Sequence, residues 1–85
     1  MSKTIINVLY FAAAREAIGI NSELICFTHV PTLSELQAKL YTLYPQLKPL
    51  EPYLRWALNQ SFIEDGSTPL SDQDEVAIIP PISGG

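Results

Sequence analysis

Leu33, Leu36, Leu40, Leu43 and Tyr44 recur every three to four residues, and they make 33–44 the one sustained amphipathic helix in the sequence. Thr32, with Glu35 three residues on, marks its start as the reciprocal pair that satisfies two orphan amides at a helix N-terminus. Pro45 marks its end, because the ring and the missing N–H forbid continuation. A single leucine stripe cannot bury itself, so the rest of the chain has to supply an apolar surface to cover it.

The flanking segments have the character of strands. Residues 4–11 (TIINVLYF) are β-branched and aromatic, with Ile6, Val8 and Tyr10 on one face and Ile5, Asn7, Leu9 and Phe11 on the other. Residues 12–18 (AAAREAI) switch to helix formers and stop at Gly19, predicting a short helix. Residues 23–28 (ELICFT) return to strand alternation and are expected to pair with the first strand, Leu24, Cys26 and Thr28 facing one way and Ile25 and Phe27 the other. Pro45, Pro49 and Pro52 reduce the next stretch to a connector, a loop or tight helical turn. A strand is expected over 55–59 (RWALN), with 61–64 (SFIE) as its continuation. Turns follow at Asp65-Gly66 and at 72–74, and a last strand at 75–80 (EVAIIP).

One long helix and one sheet make a two-layer α+β domain over residues 1–80, with 81–85 as an extended tail. The sheet face away from the helix then carries Leu9, Phe11, Phe62 and either Ile78 or Ile79. An apolar face of that kind on a small protein reads as a docking surface.

Composition narrows the function. Eighty-five residues with 47% hydrophobic content hold one core and no second domain. The only cysteine is Cys26, so no intrachain disulfide can form, which favours a reducing compartment. The start of the chain enters a strand without the features of a signal peptide, and no apolar run reaches the roughly 20 residues of a membrane span, so a cytoplasmic location without membrane attachment is expected. A net charge of -4 repels phosphate backbones and argues against nucleic acid. No Ser/His/Asp set, zinc spacing or phosphate-cradling glycine loop is present, so the chain is not expected to be an enzyme by itself, nor to hold a metal or a permanent cofactor. Cys26, mid-strand among apolar neighbours, reads as a small core hydrophobe and His29 as a surface residue. Asp72, Asp74 and Glu75 read as turn residues rather than cation ligands.

The segment that reads as chemical is the last. Pro80-Pro81 fixes φ and aims the chain along an extended path, and Ile82-Ser83 leads to Gly84-Gly85. Glycines without Cβ pass a narrow channel and leave a terminal carboxylate open to approach. A carboxylate is a poor electrophile, so its use requires activation, most simply as an acyl-adenylate made from ATP by a separate enzyme. A sulfur nucleophile can then leave a thiocarboxylate.

Asp74-Glu75-Val76-Ala77-Ile78-Ile79-Pro80-Pro81-Ile82-Ser83-Gly84-Gly85 resembles the ending of the small, sulfur-carrier subunit of molybdopterin synthase, a ubiquitin-like β-grasp family. Val8-Leu9-Tyr10-Phe11-Ala12 with Arg15-Glu16, and Ala57-Leu58-Asn59, are similar to further family segments, and the resemblance covers the whole chain. It implies that Gly85 is adenylated by a ubiquitin-activating-like adenylyltransferase and converted to a thiocarboxylate by a sulfur-transfer protein. It implies further that Pro80, Pro81, Ile82, Ser83, Gly84 and Gly85 enter the large subunit, and that sulfur passes there to cyclic pyranopterin monophosphate to form the molybdopterin dithiolene. The catalytic side chains would belong to the large subunit, in a heterotetramer of two small and two large chains. Phe11, Phe62, Ile79 and Arg15 are the expected docking residues. A ubiquitin-like modifier, a sulfur carrier for another pathway, and a binding module using only its sheet are the alternatives.

Overall fold

The computed structural model describes residues 3–81. In chain order it holds β1 (Thr4–Tyr10), α1 (Ala12–Ile18), β2 (Ser22–Phe27), α2 (Leu33–Leu43), a 3₁₀ helix (Pro45–Tyr53), β3 (Arg55–Leu58), β4 (Ser61–Ile63) and β5 (Glu75–Ile79). The strands form one sheet in the order β2-β1-β5-β3-β4. Among the described residues β1 and the central strand β5 pair in parallel, and the other three pairings are antiparallel. The sheet is therefore mixed, and α2 covers one face, as the α+β reading requires.

Alternation in β1 decides what the sheet buries. Ile6, Val8 and Tyr10 turn toward α2 and meet Leu33, Leu36 and Leu40 in a core that also takes in Leu47, Trp56, Leu70, Val76 and Ile78. Of the expected stripe only Leu43 departs: it is 49% exposed, whereas Tyr44, where α2 passes into the 3₁₀ helix, packs against the core. Tyr44 and Tyr10 both donate their hydroxyls to Glu23 Oε2, at 2.5 and 2.6 Å. The bond to Glu23 pushes the Tyr44 hydroxyl up to about 12, and burial, reinforced by Glu23, pushes Tyr10 higher still.

The same alternation corrects the expectation for Cys26. Ile25 and Phe27 face the core, so Cys26 between them has to face out, and it is exposed on the edge strand β2. Its apolar sequence neighbours gave the opposite impression.

The expected continuous strand over 55–64 is instead a hairpin. Asn59 (φ 48°) and Gln60 (φ 75°) both take the left-handed conformation, which closes a two-residue turn between β3 and β4. Asn59 also ties that turn to β5: its backbone N–H donates to Glu75 O (2.9 Å is the reverse link, Glu75 N–H to Asn59 Oδ1), and its Nδ2 donates to Asp74 Oδ1 at 3.0 Å. We expect Asn59→Ala to lose about 2 kcal/mol through strain and two missing side-chain bonds. Asn59→Gly should lose less, since glycine accepts the conformation, and urea titration of both variants separates the two contributions.

At the start of α2 the capping box is formed, Glu35 N–H donating to Thr32 Oγ1 and Thr32 N–H to Glu35 Oε1, each at 3.2 Å. Thr68 O and Gly66 O accept the N–H groups of Leu33 and Ser34, so the loop after β4 finishes the cap. Gly66 approaches closely enough that a Cβ there would lie 2.1 Å from Ser34 Oγ. Glu35 Oε2 is also 2.6 Å from His29 Nε2, and this bond, followed by that from the Thr32 N–H, holds the Glu35 carboxyl below its ordinary 4.5. A carboxylate with a depressed folded-state value contributes stability above its unfolded value and loses it as pH falls through the folded one. The difference in thermal midpoint between the native chain and Glu35→Gln should accordingly be small and present at neutral pH, and should vanish as acidification carries the pH below the lowered Glu35 value.

Candidate functional site at the root of the tail

β5 lies in the middle of the sheet and delivers Ile79, Pro80 and Pro81 at one end of it. Pro80 is buried and Pro81 exposed, so the first of the two prolines belongs to the packed domain rather than to a projecting arm. Ile82, Ser83, Gly84 and Gly85, to which the sequence assigns the chemistry, lie outside the described residues.

Around the two prolines the chain forms an apolar cleft of about 470 Å³. Phe11 and Ile79 flank it from the sheet, Ala12 and Ala13 from α1, and Leu50 and Tyr53 from the 3₁₀ helix. Ala12 has φ 48°, a left-handed conformation that costs about 1 kcal/mol in a residue with a Cβ. It is the point where the chain bends from β1 into α1. Phe11 is 43% and Tyr53 62% exposed.

The open face of the sheet continues from this cleft. Register places Ser22, Leu9, Ala77, Ala57 and Phe62 in one row across all five strands. The two alanines form a low centre between Leu9 and the 55% exposed Phe62. In the next row Arg55 pairs with Ile79, and the Arg55 guanidinium carbon lies 3.9 Å from the centre of the Phe62 ring. Ile78, the other candidate for this face, is fully buried under α2, so Ile79 is the residue that faces out.

Of the four docking residues expected from sequence, Phe11 and Ile79 meet at the cleft and Phe62 lies farther along the same face. Arg15 is exposed on α1 and is not part of the cleft. Sequence reasoning missed Leu50, Tyr53 and Arg55. The proline-rich stretch holding the first two has no periodicity to show a face, although an aromatic in such a connector was a usable signal.

The acidic turn is accounted for by hydrogen bonding. Asp72 Oδ1 accepts the Ile5 N–H and Asp74 Oδ2 the Ser71 N–H, each at 2.7 Å. Among the described residues no three His, Cys, Asp or Glu side chains gather as metal ligands, and no helix is long and apolar enough to cross a membrane.

Comparison with known proteins assigns the architecture to a family. The model of the ThiS family matches residues 8–85. A molybdopterin synthase sulfur carrier subunit of Chlamydomonas reinhardtii is 38% identical, the match covering 94% of this chain and 98% of the relative. Its counterpart in Mycobacterium tuberculosis is 40% identical over 94% and 96%. Among solved structures, a chain of the complex of subunits 1 and 2 of molybdopterin-converting factor from Helicobacter pylori superposes with a TM-score of 0.73 at 29% identity, covering 96% of this chain and 100% of that one. SAMP1 from Haloferax volcanii, at 19% identity, shares the fold with a TM-score of 0.83, over 95% and 99% of the two chains. The chain is a ubiquitin-like β-grasp protein of the ThiS family and belongs with the molybdopterin synthase sulfur carrier subunits.

Proposed function

We propose that the carboxylate of Gly85 is the group that carries sulfur. One observation supports this above the others: the match to sulfur carrier subunits spans nearly the whole length of both chains, and the family match runs through Gly84-Gly85. In this reading the carboxylate oxygen attacks the α-phosphorus of ATP on an adenylyltransferase, and pyrophosphate leaves. The terminal sulfur of a persulfide on a sulfur-transfer protein then attacks the carbonyl carbon and AMP leaves, giving an acyl disulfide. A second thiol of that protein attacks the sulfur still bonded to it, forming a disulfide there and releasing the thiocarboxylate. That sulfur passes to cyclic pyranopterin monophosphate inside the large subunit of molybdopterin synthase, two transfers completing the dithiolene.

The chain contributes position rather than catalysis. Its core holds β5 rigidly, Pro80 anchors the root, and the face bearing Phe11, Ile79 and Phe62 docks on the large subunit, with Arg15 at its margin. In support of these roles, Phe11 and Ile79 line the cleft beside the tail root, and Phe62 and Arg15 are exposed outside it. No resident cofactor is required, and the assembly is a heterotetramer in the cytoplasm.

Intact mass spectrometry tests the reading. Incubated with its adenylyltransferase, ATP and a sulfur donor, the chain should gain one oxygen-to-sulfur exchange located at Gly85. Isopeptide-linked conjugates without any thiocarboxylate would replace the carrier by a protein modifier.

A further inference from the structure

The proposed docking face carries a cation, Arg55, that forms no ion pair among the described residues. The sequence has nine acidic residues against five basic ones, yet among the described residues the ion pairs are His29–Glu35 and Lys48–Glu51, and Arg55 is in neither. Its guanidinium is spread over the Phe62 ring at 3.9 Å, on an exposed apolar face, beside Ile79 at the root of the tail.

A guanidinium stacked on an aromatic ring keeps its planar N–H fork available for hydrogen bonding. Any surface that covers Leu9, Phe62 and Ile79 also strips water from this charge. Burying an unpaired charge is strongly unfavourable, so a partner that fits this face has to bring an acceptor of opposite sign. The planar fork matches a carboxylate bidentately.

We propose that Arg55, oriented by Phe62, is a specificity residue that receives an aspartate or glutamate side chain of the large subunit. The inference rests on the docking reading above. It concerns recognition and not chemistry: Gly85 is the sixth residue beyond Ile79, a reach of up to about 20 Å. A surface that is apolar at this point, or basic, is excluded by the same charge, so Arg55 also discriminates among partners.

Calorimetric titration of the full-length chain into the purified large subunit tests this. Arg55→Gln is expected to weaken binding at least fivefold and Arg55→Glu further still. The native affinity should fall more steeply than that of Arg55→Gln between about 50 and about 300 mM salt. Arg55 is exposed, so thermal midpoints close to native establish that both variants fold. Should the Gln variant bind within fivefold of native, or the Gln and Glu variants bind alike, the guanidinium is only a packing plate on Phe62 and the proposal fails. A native chain that does not bind the large subunit at all is a different result, one that sinks the docking reading and takes this inference with it.

Discussion

Leu40→Ala is expected to lower stability by about 3 kcal/mol, in the middle of the range for truncating a fully enclosed leucine. Leu40 is 0% exposed and sits among the residues of α2 that meet the sheet. The loss combines the transfer free energy of the removed methyl groups with a cavity that the rest of the core, much of it held in sheet register, cannot collapse to fill. In a domain of this size the shift in thermal midpoint is on the order of 15 °C. Leu43→Ala is the internal control. It belongs to the same leucine pattern in the sequence but is 49% exposed, so its midpoint should move by no more than a few degrees, since surface changes stay within about 0.5 kcal/mol. Equal losses at the two positions would mean that α2 is rotated, or that it extends beyond Leu33–Leu43.

That pair also marks where the sequence stops being legible. Local signals with a period could be read: Thr32 and Glu35 announced the cap, the leucines announced the covered face, and the β1 alternation named Ile6, Val8 and Tyr10 as core. What periodicity could not give was register and adjacency. Cys26 looked buried by its neighbours' character, although the alternation that sends Ile25 and Phe27 into the core already turns it outward, onto the edge strand. The hairpin at Asn59-Gln60 was invisible because glutamine is not a usual left-handed residue. It is held there by bonds to Asp74 and Glu75, 15 and 16 residues away. The site followed the same division. Phe11, Phe62 and Ile79 were visible as apolar residues on an outward-facing parity, whereas Leu50, Tyr53 and Arg55 acquire meaning only once the 3₁₀ helix and β3 are placed beside the tail root.

Deleting Gly85 is expected to reduce sulfur transfer by roughly 100-fold or more, although it leaves a terminal glycine carboxylate of the same intrinsic reactivity. The residue exposed by the deletion is Gly84, so neither the electrophile nor its steric freedom changes. What changes is reach, by about 3.5 Å. Proximity catalysis tolerates far less than that: a misplacement of about 1 Å can cost 100-fold, because the reacting atoms leave the near-attack geometry. Adding a glycine after Gly85 displaces the carboxylate by the same amount in the other direction and should be as damaging. Stability should not respond to either change, because the core cluster from Ile6 to Ile78 lies entirely upstream of the tail. The measurements are thiocarboxylate yield by intact mass, sulfur transfer in the assembled synthase, and the thermal midpoint. If the shortened chain transferred sulfur at the native rate, length would not be the property selected in this tail, and the assignment of Gly85 as the carrier would have to be abandoned. If instead both length variants fail while the midpoint holds, the fold is a ruler: a rigid sheet and a buried Pro80 set the origin from which the distance to Gly85 is measured.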